Sequence, residues 1–533
     1  MIYRSSGRGF RVGRDWNGAR PNAGNGAQIV LVQAVALIAY AAWVIGVALH
    51  HEAWFDEMQA WLLARDNSLG MLVGHYARYE GTPALWHVIL WVAVRAGLPF
   101  SAIWTLSAAC AIAGAAIIVR RAPFPLFLRL GLLASYFYGY QFSVIARGYC
   151  LDLLLVPMAA ALFPARVERP LRYALVVGLL ANVNVFSFLA AAVLGLELLV
   201  RQIAARRIFQ RQALAALALV GVGGLFALWT VWQPADNGFL AQTAPQKPLG
   251  ATLLFLANAL FDRGTAWSAV SQAGPEFGIG ILLSVLLLGQ FVRLALTGRD
   301  RALSLALLAA PIMFTAAVYS EPWHAGVFFA LIVFVLWINW GNPATDPDDA
   351  QARRILIVAL SLLEVMQGMQ TLHSGIEDIH GSYSAGKPAA RAIMAWRNDH
   401  PQGRIAAFGM QSFETQPWMP RNVFANYHGG TPTPQYVNWA AGEPWHALPG
   451  PAEWSRLLAT RPDLVLAAQN WLPSDVKQDP GRAACRAGYG IAQTFAAGMI
   501  WRGVVIDNPL ILFARATSGP CAKPESSQAP SPA

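Results

Sequence analysis

Charge is scarce in this chain. Asp, Glu, Lys and Arg make up 13% of its 533 residues, whereas 56% are hydrophobic and 20 are Trp. That balance excludes an ordinary soluble domain and describes a chain that crosses a membrane many times. The formal net charge is +10. It implies no nucleic-acid partner, because the arginines gather at the ends of apolar runs, where cytoplasmic loops carry them. No internal repeat is evident, and the polar residues collect at segment ends. Both absences count against a transporter or lipid flippase, which carries ionisable groups near the midplane and often has matching halves. The helical pattern of two His flanking a Glu is missing too, and no other spacing is diagnostic of a metal site. Cysteines number four. Cys110 and Cys150 fall in apolar segments as core residues, while Cys485 and Cys521 lie where an external compartment would permit a disulfide.

What is present is a series of apolar segments. Residues 1–27 form a Gly- and Arg-rich tail, expected to be disordered and cytoplasmic. Residues 28–49 are uniformly apolar without a cleavage site, and read as a retained first membrane helix. Further segments follow at 83–97, 100–119, 123–140, 143–164, 171–202, 212–233, 276–297, 302–319, 323–340 and 354–373. The stretch 171–202 reads as two short helices broken near Asn182-Val183-Asn184. The expectation is a mainly α, polytopic helical bundle of about eleven to thirteen spans over residues 28–373. An apolar patch at Leu253–Phe261, inside the polar stretch 234–275, is expected to lie on the membrane surface.

The positive-inside rule places the loop 50–82, Arg147, the 234–275 stretch, the Glu321–His324 turn and everything after 373 on the external side. It breaks at one point. If 83–97 and 100–119 both cross, Arg120 and Arg121 land outside, so either one of them does not span or the rule fails there. Residues 374–518 read as a small α/β domain, with strands at Arg404–Gly409, Asp463–Ala468 and Val504–Ala514 and helices at Lys387–Asn398 and Ala452–Thr460. A disordered tail, 519–533, ends the chain.

Chemistry is concentrated in one stretch, His50 to Pro83, which holds five carboxylates and three histidines directly after the first apolar run. A carboxylate shielded at a membrane interface can be tuned into a general base. Phe55, Met58, Trp61, Leu62 and Leu69 recur at roughly helical spacing, implying a short amphipathic helix on the bilayer surface. Neighbours on a helix point about 100° apart, so Asp56 and Glu57 cannot face one target equally. One meets substrate and the other is held in the core. The same residues also fit a plain capping box, Asp56-x-x-Gln59 with Phe55 as staple.

Trp54-Phe55-Asp56-Glu57-x-Gln59-Ala60-Trp61, followed by Tyr79-Glu80-Gly81-Thr82-Pro83-Ala84-Leu85-Trp86, resembles the first external loop of GT-C glycosyltransferases. These polytopic enzymes use polyprenyl-phosphate-linked sugars; protein O-mannosyltransferases and lipid A aminoarabinose transferases are among them. The resemblance covers about residues 28–160 and is architectural beyond. It implies a bacterial inner-membrane glycosyltransferase with its site and C-terminal domain on the periplasmic face. Such an enzyme would pass sugar from a polyprenyl-phosphate donor to a glycolipid, polysaccharide or protein acceptor. Asp56 would be the base, with Glu57 and Glu80 as further acidic groups, and Trp54, Gln59 and Trp61 as substrate contacts. Some family members use a divalent cation and others do not; His50, His51, Glu52, Asp56 and Glu57 offer ligand types but no set, so no metal is assigned.

For the donor phosphate, the candidate is Arg147, in Arg147-x-Tyr149-x-x-Asp152, a spacing that resembles a second element of these transferases. A guanidinium at a segment end makes paired hydrogen bonds to phosphate oxygens; the alternative is an arginine that snorkels to lipid headgroups. Tyr149 either joins the site or belongs to the aromatic belt. His324, in Glu321-Pro322-Trp323-His324, would bind phosphate when protonated or assist proton transfer, or be an interfacial residue. Asp262-Arg263 is a donor-lipid contact or a plain ion pair. Besides the transporter, the remaining alternative is a non-catalytic envelope-assembly protein.

Overall fold

The computed structural model describes residues 23–237, 248–261, 275–340, 347–440 and 451–516. Asp262, Arg263, Cys521 and most of both terminal tails lie outside these residues. Six of the helices are long and apolar enough to cross a membrane: Ala27–Ala48, Phe100–Arg121, Val185–Ala204, Arg211–Val231, Gly278–Thr297 and Ala350–His380. Further apolar helices of 10–17 residues pack among them. Among the described residues, the expected eleven to thirteen spans are therefore met by length at six places. Residues Leu85–Arg95 settle the charge-rule conflict. Eleven residues rise about 16 Å, against a hydrocarbon core of about 30 Å. Both ends of this helix stay with the acidic loop's side. Arg95 Nη2 and the Trp91 indole donate to Asn67 O at 3.0 and 3.1 Å, while Leu85 N–H donates to Asn182 O at 3.3 Å. With that segment not crossing, the charge rule would place Arg120 and Arg121 on the same side as the other basic turns.

In chain order the helices are α1 (Ala23–Ala48), α2 (Phe55–Asp66), α3 (Leu69–Gly74), α4 (Leu85–Arg95), α5 (Trp104–Arg121), α6 (Leu126–Ala134), α7 (Cys150–Leu162), α8 (Pro170–Leu180), α9 (Val185–Ala204) and α10 (Arg211–Val231). Then come α11 (Pro248–Ala259), α12 (Pro275–Thr297), α13 (Arg301–Ala317), α14 (His324–Trp340) and α15 (Pro347–His380). The expected break at Asn182–Asn184 is present. Asn184 caps α9 by accepting Ser187 N–H at 2.9 Å, and Asn182 Nδ2 donates to Gly178 O and Gly223 O. Two expectations are corrected. The Leu253–Phe261 patch is not a surface helix: Phe255, Leu256 and Leu260 are buried in the bundle core. The segments 123–140 and 143–164 are not long helices, because the chain from Ser135 to Tyr149 leaves the regular α-helix.

Irregular backbone inside an apolar bundle needs partners for its polar groups, and side chains from α1 and α15 supply them. Tyr40 OH donates to Tyr138 O at 2.7 Å and the Trp43 indole to Gly139 O at 2.9 Å. Thr371 Oγ1 donates to Ala134 O at 2.8 Å, and Gln367 accepts Tyr136 N–H at 3.3 Å. Glycine is required at Gly139, where a Cβ would come within 2.6 Å of Thr371 Cγ2. This supported detour delivers Arg147 to the end of the bundle where the acidic loop sits.

After His380 the chain forms the small domain; its boundary is later than expected, since α15 runs on past residue 374. Helices α16 (Gly386–Asp399) and α17 (Pro451–Ala459) and strands β1 (Ile405–Phe408) and β2 (Leu464–Ala468) lie where the sequence placed them. Short α18 (Ser474–Gln478) and α19 (Pro480–Arg486) lead to β3 (Tyr489–Phe495), which the hydrophobic pattern did not reveal. The expected strand Val504–Ala514 is two: β5 (Val504–Asp507), paired with β4 (Gly498–Trp501), and β6 (Leu510–Arg515). The sheet order is β1-β2-β6-β3, with β1 and β2 parallel and the other pairs antiparallel. Cys485 is disulfide-bonded, and Cys110 and Cys150 are free.

The tip of the β4–β5 hairpin anchors this domain in the bundle. Arg502 and Gly503 both have positive φ, as a two-residue hairpin turn requires. Arg502 N–H donates to Tyr136 OH at 3.0 Å, and its buried guanidinium reaches Gln370 on α15 and the Asn258 carbonyl on α11. Arg502→Ala should remove about 3 kcal/mol of docking, given charge-assisted bonds to buried acceptors. Limited proteolysis in lipid nanodiscs should then cut the C-terminal domain faster at unchanged helix content; an unchanged cleavage rate would refute the anchor.

Candidate functional site

Helix α2 does not lie on the bilayer surface. Nine of its twelve residues are buried, because it is enclosed between the membrane helices and the C-terminal domain. Its start also differs from the expected capping box. Trp54 is the N-cap, which puts Glu57 at the third helical position, and Glu57 Oε2 accepts Trp54 N–H at 3.1 Å. Asp56 caps nothing. The two adjacent carboxylates are thereby separated: the Glu57 side chain is 0% exposed and that of Asp56 is 27% exposed.

Glu57 belongs to a buried clamp. Its Oε1 accepts Ala146 N–H at 2.7 Å, one residue before Arg147. Its Oε2 lies 3.1 Å from His51 Nε2, and His51 Nδ1 lies 2.8 Å from Asp378 Oδ2 on α15. Asp378 also accepts the Tyr140 hydroxyl at 2.9 Å. Burial alone would depress the His51 pKa, but Asp378 and Glu57 on either side push it up to about 10. The imidazole is thus a cation with both N–H groups donated to carboxylates.

Asp56 instead meets Arg147, Nη2 to Oδ2 at 2.8 Å, and both side chains keep some exposure. The guanidinium lies over the rings of Trp54, Tyr149 and Trp323 at 5.9, 5.1 and 5.1 Å. Burial raises the Asp56 pKa, Arg147 pulls against it, and Glu57 adds to the rise. Glu321 is raised by burial as well, with Tyr319 and Arg147 opposing and Asp56 adding.

Glu80 closes a short 3-10 turn, Tyr76–Glu80, ended by Gly81 at φ 66, a left-handed position that favours glycine. Its Oε1 accepts Gln59 Nε2 at 2.9 Å and the Trp439 indole N–H at 3.0 Å. Burial pushes the Glu80 pKa up to about 7 despite those two donors. Gln59 also pairs both ways with the Val437 backbone, at 2.8 Å each. The segment around Val437–Trp439 therefore roofs the loop from the C-terminal domain. Glu414, from that domain too, is raised to about 8 by burial, against hydrogen bonds from Ser384 and the Phe55 backbone.

The structure brings Asp56, Arg147, Trp54 and Tyr149 into direct contact, with Glu80 within electrostatic reach of Asp56 and Arg147. It sets other candidates apart. Gln59 is a buried interdomain tie, and Trp61 is 3% exposed and packs on Phe100 at 5.9 Å. His324 accepts Glu321 N–H at Nδ1, 2.8 Å away, and is surrounded by Phe186, Tyr319, Trp323 and Tyr149. A nitrogen that accepts carries no proton, so this imidazole is not the phosphate-binding cation expected. Asp152 faces Asn184 and Ser187, locking α7 to α9 rather than serving the site. Among the described residues no group of three or more His, Cys, Asp or Glu side chains is placed to hold a metal ion. Sequence reasoning missed His51, Asp378, Trp439 and Glu414 as parts of this assembly. Asp378, a carboxylate near the end of the last apolar helix, was the one with a readable signal.

No family model and no curated protein matches the chain. Among solved structures, the chain is similar to the cryo-EM structure of the arabinofuranosyltransferase AftD from Mycobacteria, with 13% identity and a TM-score of 0.40. The match covers 92% of this chain and 40% of that one, so this chain spans well under half of that protein. At that TM-score the likeness carries no argument about the site.

Two measurements probe the clamp and the roof. His51→Ala leaves two buried carboxylates without their cation and should cost about 3–5 kcal/mol, read as a lower unfolding temperature in detergent; an unchanged temperature would refute the clamp. Glu414 has a raised folded pKa, so its contribution to stability is full below about 4.5 and is lost as pH rises through about 8. The wild type should therefore lose stability from pH 5 to 8.5, and Glu414→Gln should flatten that slope. An equally steep slope in the variant would exclude Glu414 as its source.

Proposed function

We propose that this protein is a membrane glycosyltransferase. It moves a sugar from a polyprenyl-phosphate-linked donor to an acceptor hydroxyl on a glycolipid, polysaccharide or protein, at the external face of a bacterial inner membrane. The observation that carries this reading is the Asp56–Arg147 pair, 2.8 Å apart and partly exposed at the end of an apolar helical bundle. Lipid-phosphate sugar transfer needs a base, a cation and an apolar setting for the isoprenoid, and these lie together there.

In this reading Arg147 binds the donor phosphate, its guanidinium fixed by the aromatic rings around it. Asp56 takes the proton from the acceptor hydroxyl as the acceptor oxygen bonds to the anomeric carbon. The bond from that carbon to the phosphate oxygen breaks, and its electron pair departs with the phosphate, where Arg147 offsets the charge. Attack opposite the leaving group inverts the anomeric centre. Burial raises the Asp56 pKa and so makes its carboxylate a stronger base. Glu57, enclosed by Trp54 N–H, Ala146 N–H and His51, positions the Arg147 backbone and does not touch substrate. Glu80 and Trp439 border the acceptor side.

The test is transfer of labelled sugar from a panel of polyprenyl-phosphate donors by the full chain in lipid nanodiscs. Asp56→Asn should lower the transfer rate by about 10²–10⁴-fold, the usual worth of a general base, and Arg147→Ala should raise the donor KM. Folding of each variant is checked by thermal unfolding. An Asp56→Asn protein that transfers as fast as wild type would sink this assignment.

A further inference from the structure

Two neighbouring carboxylates in one helix turn have opposite surroundings. Glu57 is fully buried and held by two backbone N–H groups and His51. Asp56 is 27% exposed, and among the described residues its one ion-pair partner is Arg147. The guanidinium in turn is walled by three aromatic rings, and the Arg147 side chain keeps 21% exposure. In this structure the anion that Arg147 meets is the protein's own carboxylate.

We propose that Asp56 occupies, in the resting protein, the anion subsite at Arg147 that a prenyl phosphate takes during turnover, so that phosphate arrival displaces and frees Asp56. This rests on the transferase reading above. The exchange replaces one anion by another, so the largely enclosed guanidinium is never left unpaired, which would be costly. Released from Arg147, Asp56 keeps only the influences that raise its basicity, burial and Glu57. The base is therefore competent only with donor in place, and donor binds before acceptor. Idle deprotonation of acceptor hydroxyls or water is suppressed.

The consequence is counterintuitive: removing the carboxylate should improve phosphate binding while abolishing transfer. Binding of farnesyl phosphate to the full chain would be measured by calorimetry in zwitterionic nanodiscs, with inorganic phosphate and phosphatidylglycerol as separate arms. Asp56→Asn is expected to bind farnesyl phosphate about tenfold tighter than wild type, in the range of close charge-pair couplings. Arg147→Ala is expected to bind about tenfold weaker, and the double variant should match Arg147→Ala, because the gain runs through the guanidinium. Glu52→Gln removes another carboxylate of the same loop, one that does not touch Arg147, and should change affinity less than about threefold.

Equal or weaker binding by Asp56→Asn overturns the proposal. So does a double variant that keeps the gain, or a gain from Glu52→Gln as large as that of Asp56→Asn. A gain with phosphatidylglycerol but not farnesyl phosphate overturns the assignment to a prenyl lipid, and the same gain with inorganic phosphate overturns any need for the prenyl chain. Asp56→Ser, measured in parallel, keeps the test valid if Asn does not fold. Binding is read without turnover, so tighter binding by Asp56→Asn alongside a wild type that transfers no sugar from any donor overturns the transferase reading and leaves the exchange standing.

Discussion

The arrangement at the loop depends on a buried imidazolium held between two carboxylates. His51 joins Glu57 at 3.1 Å to Asp378 at 2.8 Å, and Glu57 continues the chain to the Ala146 amide. Three parts of the polypeptide, far apart in sequence, are fixed to one another where water is excluded. In such surroundings a lone ion is unfavourable and a fully hydrogen-bonded set is stable, so the geometry is nearly all-or-none. Arg147 inherits its position from that set, because the backbone before it is held there.

A second constraint comes from the bundle's broken backbone. The stretch Ser135–Tyr149 exposes polar groups in an apolar interior, and Tyr40, Trp43, Gln367 and Thr371 satisfy several of them. Tyr136 then hydrogen-bonds Arg502 of the C-terminal domain. The irregular segment is thus both the support for Arg147 and the dock for the C-terminal domain. That domain in turn brings Val437 and Trp439 over the loop, where they hold Gln59 and Glu80. Bundle, loop and domain form one assembly, and the acidic site lies at their junction.

Much of this was legible beforehand. Apolar length and arginine placement located most helices, and the scarcity of charge made the His50–Pro83 cluster conspicuous. The short α4 resolved a conflict that the arginine pattern had already exposed. The errors share a cause. Apolar spacing in α2 suggested a membrane surface, yet part of the burial there comes from a domain about 380 residues later in the chain. Leu253–Phe261 was likewise read as surface, because hydropathy reports affinity for an apolar phase without saying whether lipid or protein supplies it. Asp56-x-x-Gln59 fitted a capping box, but the helix starts two residues earlier, with Trp54 as N-cap and Glu57 at the third position, and only backbone angles distinguish the two.

From its residues alone, the chain determined that it is an apolar, mainly helical protein with a strand-containing C-terminal region and an acidic loop worth chemical scrutiny. Composition and periodicity suffice for that, since they set which segments leave water. Which of two adjacent carboxylates is buried and which is open, and that Arg147 meets the open one, was decided by tertiary structure. Those outcomes depend on contacts between residues about 90 to 380 positions apart, and no local pattern encodes them.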